Sequence, residues 1–298
     1  MSVNGKLLLV GTVSNVSRNI QKELRIVLKA LSYFESVEVY LIESDSTDNT
    51  INQLNRIKLM FDNFDFISMG KLKNEYPHRV TRIAYCRNIY VEYIRANIEL
   101  KKWDYIAVAD LDGMNLKLTK KRIASCFRTG IDWDGVMANQ TLGYYDVFAL
   151  RSSGWVEDDC FQEMAAARCL SFPPKQLKNK ALNFISLFRY HDKFRKKYIY
   201  DQMKILPRKR FIKVESAFGG FAIYKSWLLL KAKYNLDNDN SSEHIDFHRS
   251  AIENDAKYFV NTSLINNHVN VYNLNKMTLI RFIREIKKYY KNHNKWYV

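Results

Sequence analysis

Two aspartates one residue apart, Asp110 and Asp112, are the strongest candidates for chemistry in this 298-residue sequence. They follow the apolar run Tyr105–Ala109, which predicts a buried strand, and Gly113 allows the chain to bend so that both carboxylates face one ligand. Ligands of open α/β sheets bind at the carboxyl ends of the strands. Because paired carboxylates suit a hard divalent cation, the pattern predicts a metal site there, with capping of the loop as the alternative.

A second acidic loop lies earlier in the sequence. Glu43–Asp48 reads Glu-Ser-Asp-Ser-Thr-Asp and follows the β-branched run Val37–Ile42, which predicts another strand. The hydroxyls and the last aspartate of this loop are typical of helix caps. Glu43 and Asp45 therefore remain as the carboxylates that could accept hydrogen bonds from a ribose or a base.

Three arginines come next, at the start of a helix predicted from Thr81 to about Ile98. An anionic diphosphate beside a metal favours a fixed guanidinium group, which Arg79, Arg82 or Arg87 could supply. Since Arg82 and Arg87 are five residues apart, only one or two of the three can face a single ligand. A solvated helix face is the alternative.

Paired glycines and an acidic cluster follow in the second half of the chain. Gly219 and Gly220 precede a predicted strand and would let the backbone approach a ligand closely, although a strand bulge explains them equally well. Glu243 and Asp246 lie in a predicted helix N-terminus, where they complement the helix dipole or supply a general base for an acceptor hydroxyl. His268 would be the nitrogen ligand that a two-aspartate metal site lacks.

The elements that must position these residues follow from composition and pattern. Strand-like and helix-like runs alternate over the first 140 residues, which predicts an α/β fold with a layered sheet. Lys and Arg number 47 against 31 Asp and Glu, a formal charge of +16. Thirteen of these cations lie in residues 175–213, and residues 276–295 predict a basic amphipathic helix. The four cysteines are far apart, which predicts free thiols in a reducing compartment.

The order of these features resembles the nucleotide-sugar-dependent glycosyltransferases of the GT-A fold, in particular the family-2-like and capsule mannosyltransferase-like enzymes. The features that carry the resemblance are the loop Glu43–Asp48, the Arg87-Asn88 helix, Asp110-Leu-Asp112, Gly219-Gly220, the acidic cluster at 243–246 and His268. The resemblance implies a GT-A type, Rossmann-like mixed sheet flanked by helices, here with a basic helical insertion and a C-terminal helix.

The resemblance also implies roles for these residues. Asp110, Asp112 and His268 would hold Mn²⁺ or Mg²⁺. The nucleoside-diphosphate sugar would be bound by Glu43, Asp45, Arg82, Arg87, Asp110, Gly219 and Gly220. The family's Glu-Asp element reads Glu243-His244 here, so the catalytic base would be Glu243 or Asp246, in an inverting transfer. If neither carboxylate is placed for in-line attack, a retaining transfer is the alternative.

This interpretation divides the chain into three parts. Residues 1–140 would bind the nucleotide sugar, 141–274 would form the acceptor side with the basic insertion 175–213, and 275–298 would form the basic helix. The expected acceptor is a hydroxyl of a glycan or of a lipid-linked glycan. The charge predicts a further contact with an anionic membrane surface, so we expect a cytoplasmic protein attached peripherally to the inner membrane face.

Two other function classes are compatible with parts of the sequence. Asp110–Met114 resembles the nucleophile motif of haloacid-dehalogenase-type phosphatases, in which the first aspartate is phosphorylated, but in that family the motif lies near the start of the catalytic domain. The +16 charge alone would suit a nucleic-acid-binding protein. No nucleic-acid-binding module is visible, and that reading leaves the aspartate pair unexplained, so nucleic acid is not an expected partner.

Overall fold

The computed structural model describes residues 3–128, 130–172, 174–175, 177–237, 241–252, 255–268 and 283–284. The predicted C-terminal helix over 276–295 lies almost entirely outside the described residues, and so does the membrane contact assigned to it. Among the described residues, no helix combines the length and the apolar character needed to cross a bilayer.

The described chain forms one mixed sheet of eight strands in the order β3-β2-β1-β4-β7-β5-β8-β6. The strands are β1 Val3–Val13, β2 Phe34–Glu43, β3 Phe64–Ser68, β4 Tyr105–Ala109, β5 Gly135–Gln140, β6 Phe211–Val214, β7 Phe221–Lys225 and β8 Tyr258–Asn267. Strands β7 and β6 run antiparallel to their neighbours, and all other pairs are parallel. The predicted α/β fold with a mixed sheet is confirmed.

Helices cover both faces of the sheet. They are α1 Ile20–Leu31, α2 Thr50–Met60, α3 Arg79–Lys101, α4 Lys120–Ala124, α5 Cys160–Cys169, α6 Lys180–Arg195, α7 Ser226–Lys231 and α8 Glu243–Ile252. Strand β1 shows why two layers form, because its side chains alternate between two apolar cores. Leu8 and Val10 pack with α3, α7 and α8, whereas Leu7 and Leu9 pack with α1, α2 and α4.

One part of the basic segment 175–213 lies outside the two main layers, and another part belongs to the sheet. Helix α6 lies within it and packs with α5 around a separate small core that includes Met164, Phe194 and Ile199. The end of the segment returns as strand β6, which forms the edge of the sheet beside β8. The sequence pattern also predicts a strand over Trp133–Asn139, and this strand corresponds to β5, which begins two residues later.

The two glycines before β7 have backbone angles that other residues rarely adopt, with φ of +70° at Gly219 and +81° at Gly220. A Cβ on Gly219 would lie 2.6 Å from the carbonyl oxygen of Ala138 on β5. The turn therefore depends on glycine both for its conformation and for space.

We expect Gly219→Ala to lower the free energy of unfolding by roughly 2–4 kcal/mol, because the positive φ and the backbone clash add. Gly154→Ala is the matched control, since Gly154 has the same φ of +70° but no atom within 4 Å of the added Cβ. Urea denaturation of both variants separates the two costs. Equal losses in the two variants would show that the Ala138 contact has no effect.

Candidate active site at the carboxyl edge of the sheet

The carboxyl ends of β1, β2, β3, β4, β5 and β8 meet at one edge of the sheet, together with the start of β7. Because β4 pairs with β7 from Tyr105↔Lys225 to Ala109↔Phe221, the residues after β4 lie beside the paired glycines. This edge therefore gathers Asp110, Asp112, Gly219 and Gly220, which are far apart in the sequence.

The loop that carries the two aspartates is fixed from both sides. The backbone N–H of Asp110 donates to the carbonyl oxygen of Gly220 at 3.0 Å. On the other side, the carboxylate of Glu23 on α1 accepts from the N–H groups of Gly113, at 2.6 Å, and Asn115, at 2.7 Å. Glu23 and Asn115 are fully buried, so the loop has a rigid base below an exposed Asp112.

A buried arginine connects the aspartate loop to helix α8. Arg87 lies on α3, and its Nε is 3.1 Å from Oε1 of Glu243 while its Nη2 is 3.4 Å from Oδ1 of Asp110. The guanidinium also lies over the rings of Phe218 and Tyr234, at 5.1 and 5.6 Å. The structure thus brings three predicted site residues into one cluster, in which Arg87 and Glu243 are buried and Asp110 is half-buried.

This edge of the sheet holds more carboxylates than the single positive charge of Arg87 can compensate. The pKa of Asp110 is raised to about 7, chiefly because burial disfavours the charged form. The charge of Arg87 opposes this rise, and the charges of Asp112, Glu243 and Asp146 add to it. Burial also raises the pKa of Asp146 to about 6. A bound cation would favour the charged form of these groups, so their chemistry fits a cation site.

Asp146 and Asn115 are site residues that the sequence reasoning missed. Asp146 follows β5, and its Oδ2 accepts from the N–H of Gly219 at 3.0 Å, so it fixes the glycine turn. Asn115 accepts from the Nδ2 of Asn266 at 3.2 Å. The signal for Asp146 was its place after a predicted strand of the same sheet, where the polar residues of neighbouring strands meet.

The loop Glu43–Asp48, at the end of β2, is held in place by its own carboxylates. Glu43 is buried, and its side chain accepts from the N–H of Ser46 at 3.0 Å and from the hydroxyl of Ser68. Oδ2 of Asp45 lies 3.1 Å from Nε of Arg82. In this arrangement Glu43 and Arg82 hold the loop, and contact of either side chain with the nucleotide sugar stays a prediction.

The predicted set of three metal ligands is not gathered at one point. Within the described part of the chain, which includes Asp110, Asp112 and His268, no three His, Cys, Asp or Glu side chains are close enough together to hold a metal ion. Nδ1 of His268 lies 2.6 Å from the hydroxyl of Thr141. Burial and the nearby charges of Arg122 and Lys117 lower the pKa of His268. The charged neighbours of this imidazole are therefore cations and not the carboxylates of a metal site.

Helix α8 carries both predicted base candidates, in different surroundings. Glu243 is mostly buried against Arg87, and Asp246, one turn later, is half-buried. Between them, the buried ring of His244 stacks on Phe218 with 3.9 Å between ring centres. Burial lowers the pKa of His244 well below its usual value, so this ring is neutral near pH 7.

The buried Glu23 predicts how stability depends on pH. Burial raises its pKa from 4.5 to about 7, so the folded state binds a proton that the unfolded state releases between these values. The free energy of unfolding should therefore fall as the pH rises through this window. In Glu23→Gln the fall between about pH 5 and about pH 7.5 should be smaller by roughly 2 kcal/mol, as measured by urea denaturation. An unchanged fall would show that Glu23 does not titrate there.

No family model matches the chain, and no curated protein sequence matches it. Solved structures do match. The mannosyltransferase PcManGT from Pyrobaculum calidifontis, solved in complex with GDP-Man and Mn²⁺, is 10% identical over 97% of this chain and 65% of its own, with a TM-score of 0.49. S. aureus TarS 1-349 is 13% identical over 94% of this chain, with a TM-score of 0.45. Its complex with UDP-GlcNAc is 12% identical over 90%, with a TM-score of 0.46. This chain spans 60% to 65% of the length of these proteins.

Proposed function

We propose that this protein is a metal-dependent glycosyltransferase that moves a sugar from a nucleoside-diphosphate sugar to a hydroxyl of a glycan or lipid-linked acceptor. The observation that carries the proposal is the pairing of Asp110 and Asp112 on a rigid loop at the carboxyl edge of the sheet, with Glu243 across Arg87. This arrangement offers carboxylates for a cation and, on the other side of the guanidinium, a carboxylate suited to accept a proton.

Asp110 and Asp112 would hold the cation, which is Mn²⁺ or Mg²⁺. Such ions are bound by one or two carboxylates together with substrate phosphates, so the two aspartates are sufficient as protein ligands. When bound, the cation supplies positive charge to the diphosphate that leaves. In this proposal His268 contacts the acceptor side, because its neighbours are cations.

The chain's own residues would then position the two substrates. Arg79 is exposed at the start of α3, and its charge acts on Asp112, so it is the guanidinium best placed for the diphosphate. The turn at Gly219 and Gly220 would contact the donor through its backbone, because it lies directly beside Asp110. Glu243 would take the proton from the acceptor hydroxyl, which gives an inverting transfer.

The same proposal assigns the regions of the chain. Residues 1–140 would bind the donor and 141–274 the acceptor, with 275–298 as the segment that attaches to an anionic membrane surface. Haloacid-dehalogenase-type phosphatase chemistry is the competing use of the same aspartates, with Asp110 as the nucleophile.

A thermal-shift screen of nucleotide sugars with and without Mn²⁺ tests the proposal, because a ligand that binds only the folded state raises the unfolding temperature. The panel includes GDP-Man and UDP-GlcNAc. We expect at least one nucleotide sugar to stabilise the protein only with the metal, and to be hydrolysed slowly to the nucleoside diphosphate. No stabilisation by any member, together with release of phosphate from a generic phosphate ester, would support the phosphatase instead.

A further inference from the structure

A large groove of about 1010 Å³ opens beside the candidate active site, between helix α4 and the end of the sheet formed by β5, β8 and β6. Its walls combine apolar side chains with polar ones. The apolar members are Leu116, Leu118, Ile205, Leu206, Phe211 and Ile265. A cleft of this size accommodates several units of a linear chain or a large small molecule.

The groove is lined by one sign of charge. Its lining includes six Lys and Arg residues and no Asp or Glu: Lys117, Lys121, Arg122, Arg128, Arg208 and Lys209. All but Arg122 are exposed, and none of the six forms an ion pair with a carboxylate of the described residues. Cations gathered in a cleft without counter-charges create a strong local attraction for an anion.

Hydrogen bonds connect the floor of the groove to the glycine turn of the candidate active site. Gln140, which lines the groove, donates from Nε2 to the carbonyl oxygen of Gly219 at 2.9 Å and to Oδ1 of Asn266 at 2.8 Å. The N–H of Lys117, also in the groove, donates to the carbonyl oxygen of Asn266 at 2.9 Å. Asn266 in turn bonds to Asn115 in the aspartate loop. The groove and the site thus share one wall.

We propose that this groove binds an anionic glycan chain, which is the acceptor of the transfer. The inference that the bound chain is the acceptor rests on the proposed function. Binding of an anionic chain to the groove can be measured without any transfer. The six cations would pair with carboxylate or phosphate groups repeated along the chain, and apolar side chains such as Leu206 and Phe211 would pack against the C–H faces of its sugar rings. A linear glycan fits a groove between elements, whereas a flat bilayer contacts only its rim.

The test compares two triple variants that remove the same charges. The groove variant is Lys117→Gln, Lys121→Gln and Arg208→Gln. The matched control changes exposed residues on α1 and α2: Lys22→Gln, Lys29→Gln and Arg56→Gln. The unfolding temperature of each variant checks that it is folded. The probe is polygalacturonate, a carboxylated polysaccharide, with neutral dextran, phosphatidylglycerol vesicles and oligo-dT as comparisons.

We expect the wild-type protein to bind polygalacturonate but not dextran, with an affinity that falls as salt rises. The groove variant should bind at least 10-fold more weakly, with a salt slope smaller by about two because three counterion-releasing contacts are lost. The control should stay within 2-fold of the wild type. Equal losses in the two variants would overturn the proposal, and so would a groove-specific loss seen only with vesicles or only with oligo-dT.

The same samples separate this proposal from the proposed function. Mn²⁺-dependent stabilisation by a nucleotide sugar should be unchanged in the groove variant, because none of the three changed side chains lies in the donor site. If the wild type shows no such stabilisation but binds polygalacturonate through the groove, the glycosyltransferase function fails and the anionic-glycan site stands. If stabilisation is present and the groove variant binds polygalacturonate as the control does, the groove proposal alone fails.

Discussion

Asp112→Asn should abolish metal-dependent sugar transfer while leaving the protein folded. Asp112 is exposed at the end of a loop that Glu23 and Gly220 hold through backbone groups, so its side chain contributes little to stability. Its carboxylate is one of only two protein ligands proposed for the cation, and loss of charge stabilisation at a leaving diphosphate costs several kcal/mol. We therefore expect turnover to fall by at least about 100-fold.

Two measurements check this expectation. The first is turnover with the donor identified by thermal shift, and the second is the Mn²⁺-dependent part of that shift, which should disappear in Asp112→Asn. Asp62→Asn is the matched control, because Asp62 is also an exposed aspartate but lies at the end of α2, away from the site. Activity within 2-fold of the wild type, or activity that survives a chelator, would contradict the metal role of Asp112.

The sheet and the aspartate loop were predictable because their signals are local. The continuous apolar run Leu7–Val10 in β1 and the helical spacing of apolar residues in α1 each report on a single element. Once Tyr105–Ala109 is recognised as a strand, the rule that ligands bind at the carboxyl ends places Asp110 and Asp112 at the functional edge. This inference needs no knowledge of which strands are neighbours.

The partners of these aspartates were not predictable, since they depend on strand order. Strand β7 inserts antiparallel between β4 and β5, and this insertion brings Gly220 to the N–H of Asp110. The contact between Arg87 and Glu243 joins residues 156 positions apart. No periodic pattern encodes a pairing at that distance, and the acidic loop Glu43–Asp48 alone could not show that Glu43 is buried within its own loop.

The surroundings of His268 were not predictable from the sequence either. Its residue type and its place at the end of β8 suggested a metal ligand, because nitrogen donors complete many two-carboxylate sites. Two other strands separate β8 from β4 in the sheet, however, and the imidazole contacts Thr141 and lies in the basic groove. A position on the correct edge of the sheet is thus necessary for a ligand but does not fix which neighbour it meets.

Glu243→Gln should lower turnover by about 100- to 10,000-fold if Glu243 is the general base. Glutamine has the same shape and keeps an oxygen that can accept from Nε of Arg87, now 3.1 Å from Glu243, so the buried cluster should retain its geometry. It lacks the capacity to take a proton and also the negative charge that faces Arg87, which leaves Asp110 as the ion-pair partner of that guanidinium. Donor binding, measured by Mn²⁺-dependent thermal shift, should change by less than 3-fold.

The competing role for Glu243 is to position Arg87, and Glu243→Asp distinguishes the two. A shortened carboxylate still compensates the charge of Arg87 but moves the proton acceptor, so a base should lose turnover with little change in KM, whereas a positioning residue should recover most of the turnover that glutamine loses. Asp246→Asn and Asp146→Asn complete the set, because both carboxyls lie on elements that border the site. A larger loss in either of them than in Glu243→Gln would move the general base to that residue, and the raised pKa of Asp146, about 6, would then set the acidic limb of the pH–rate profile.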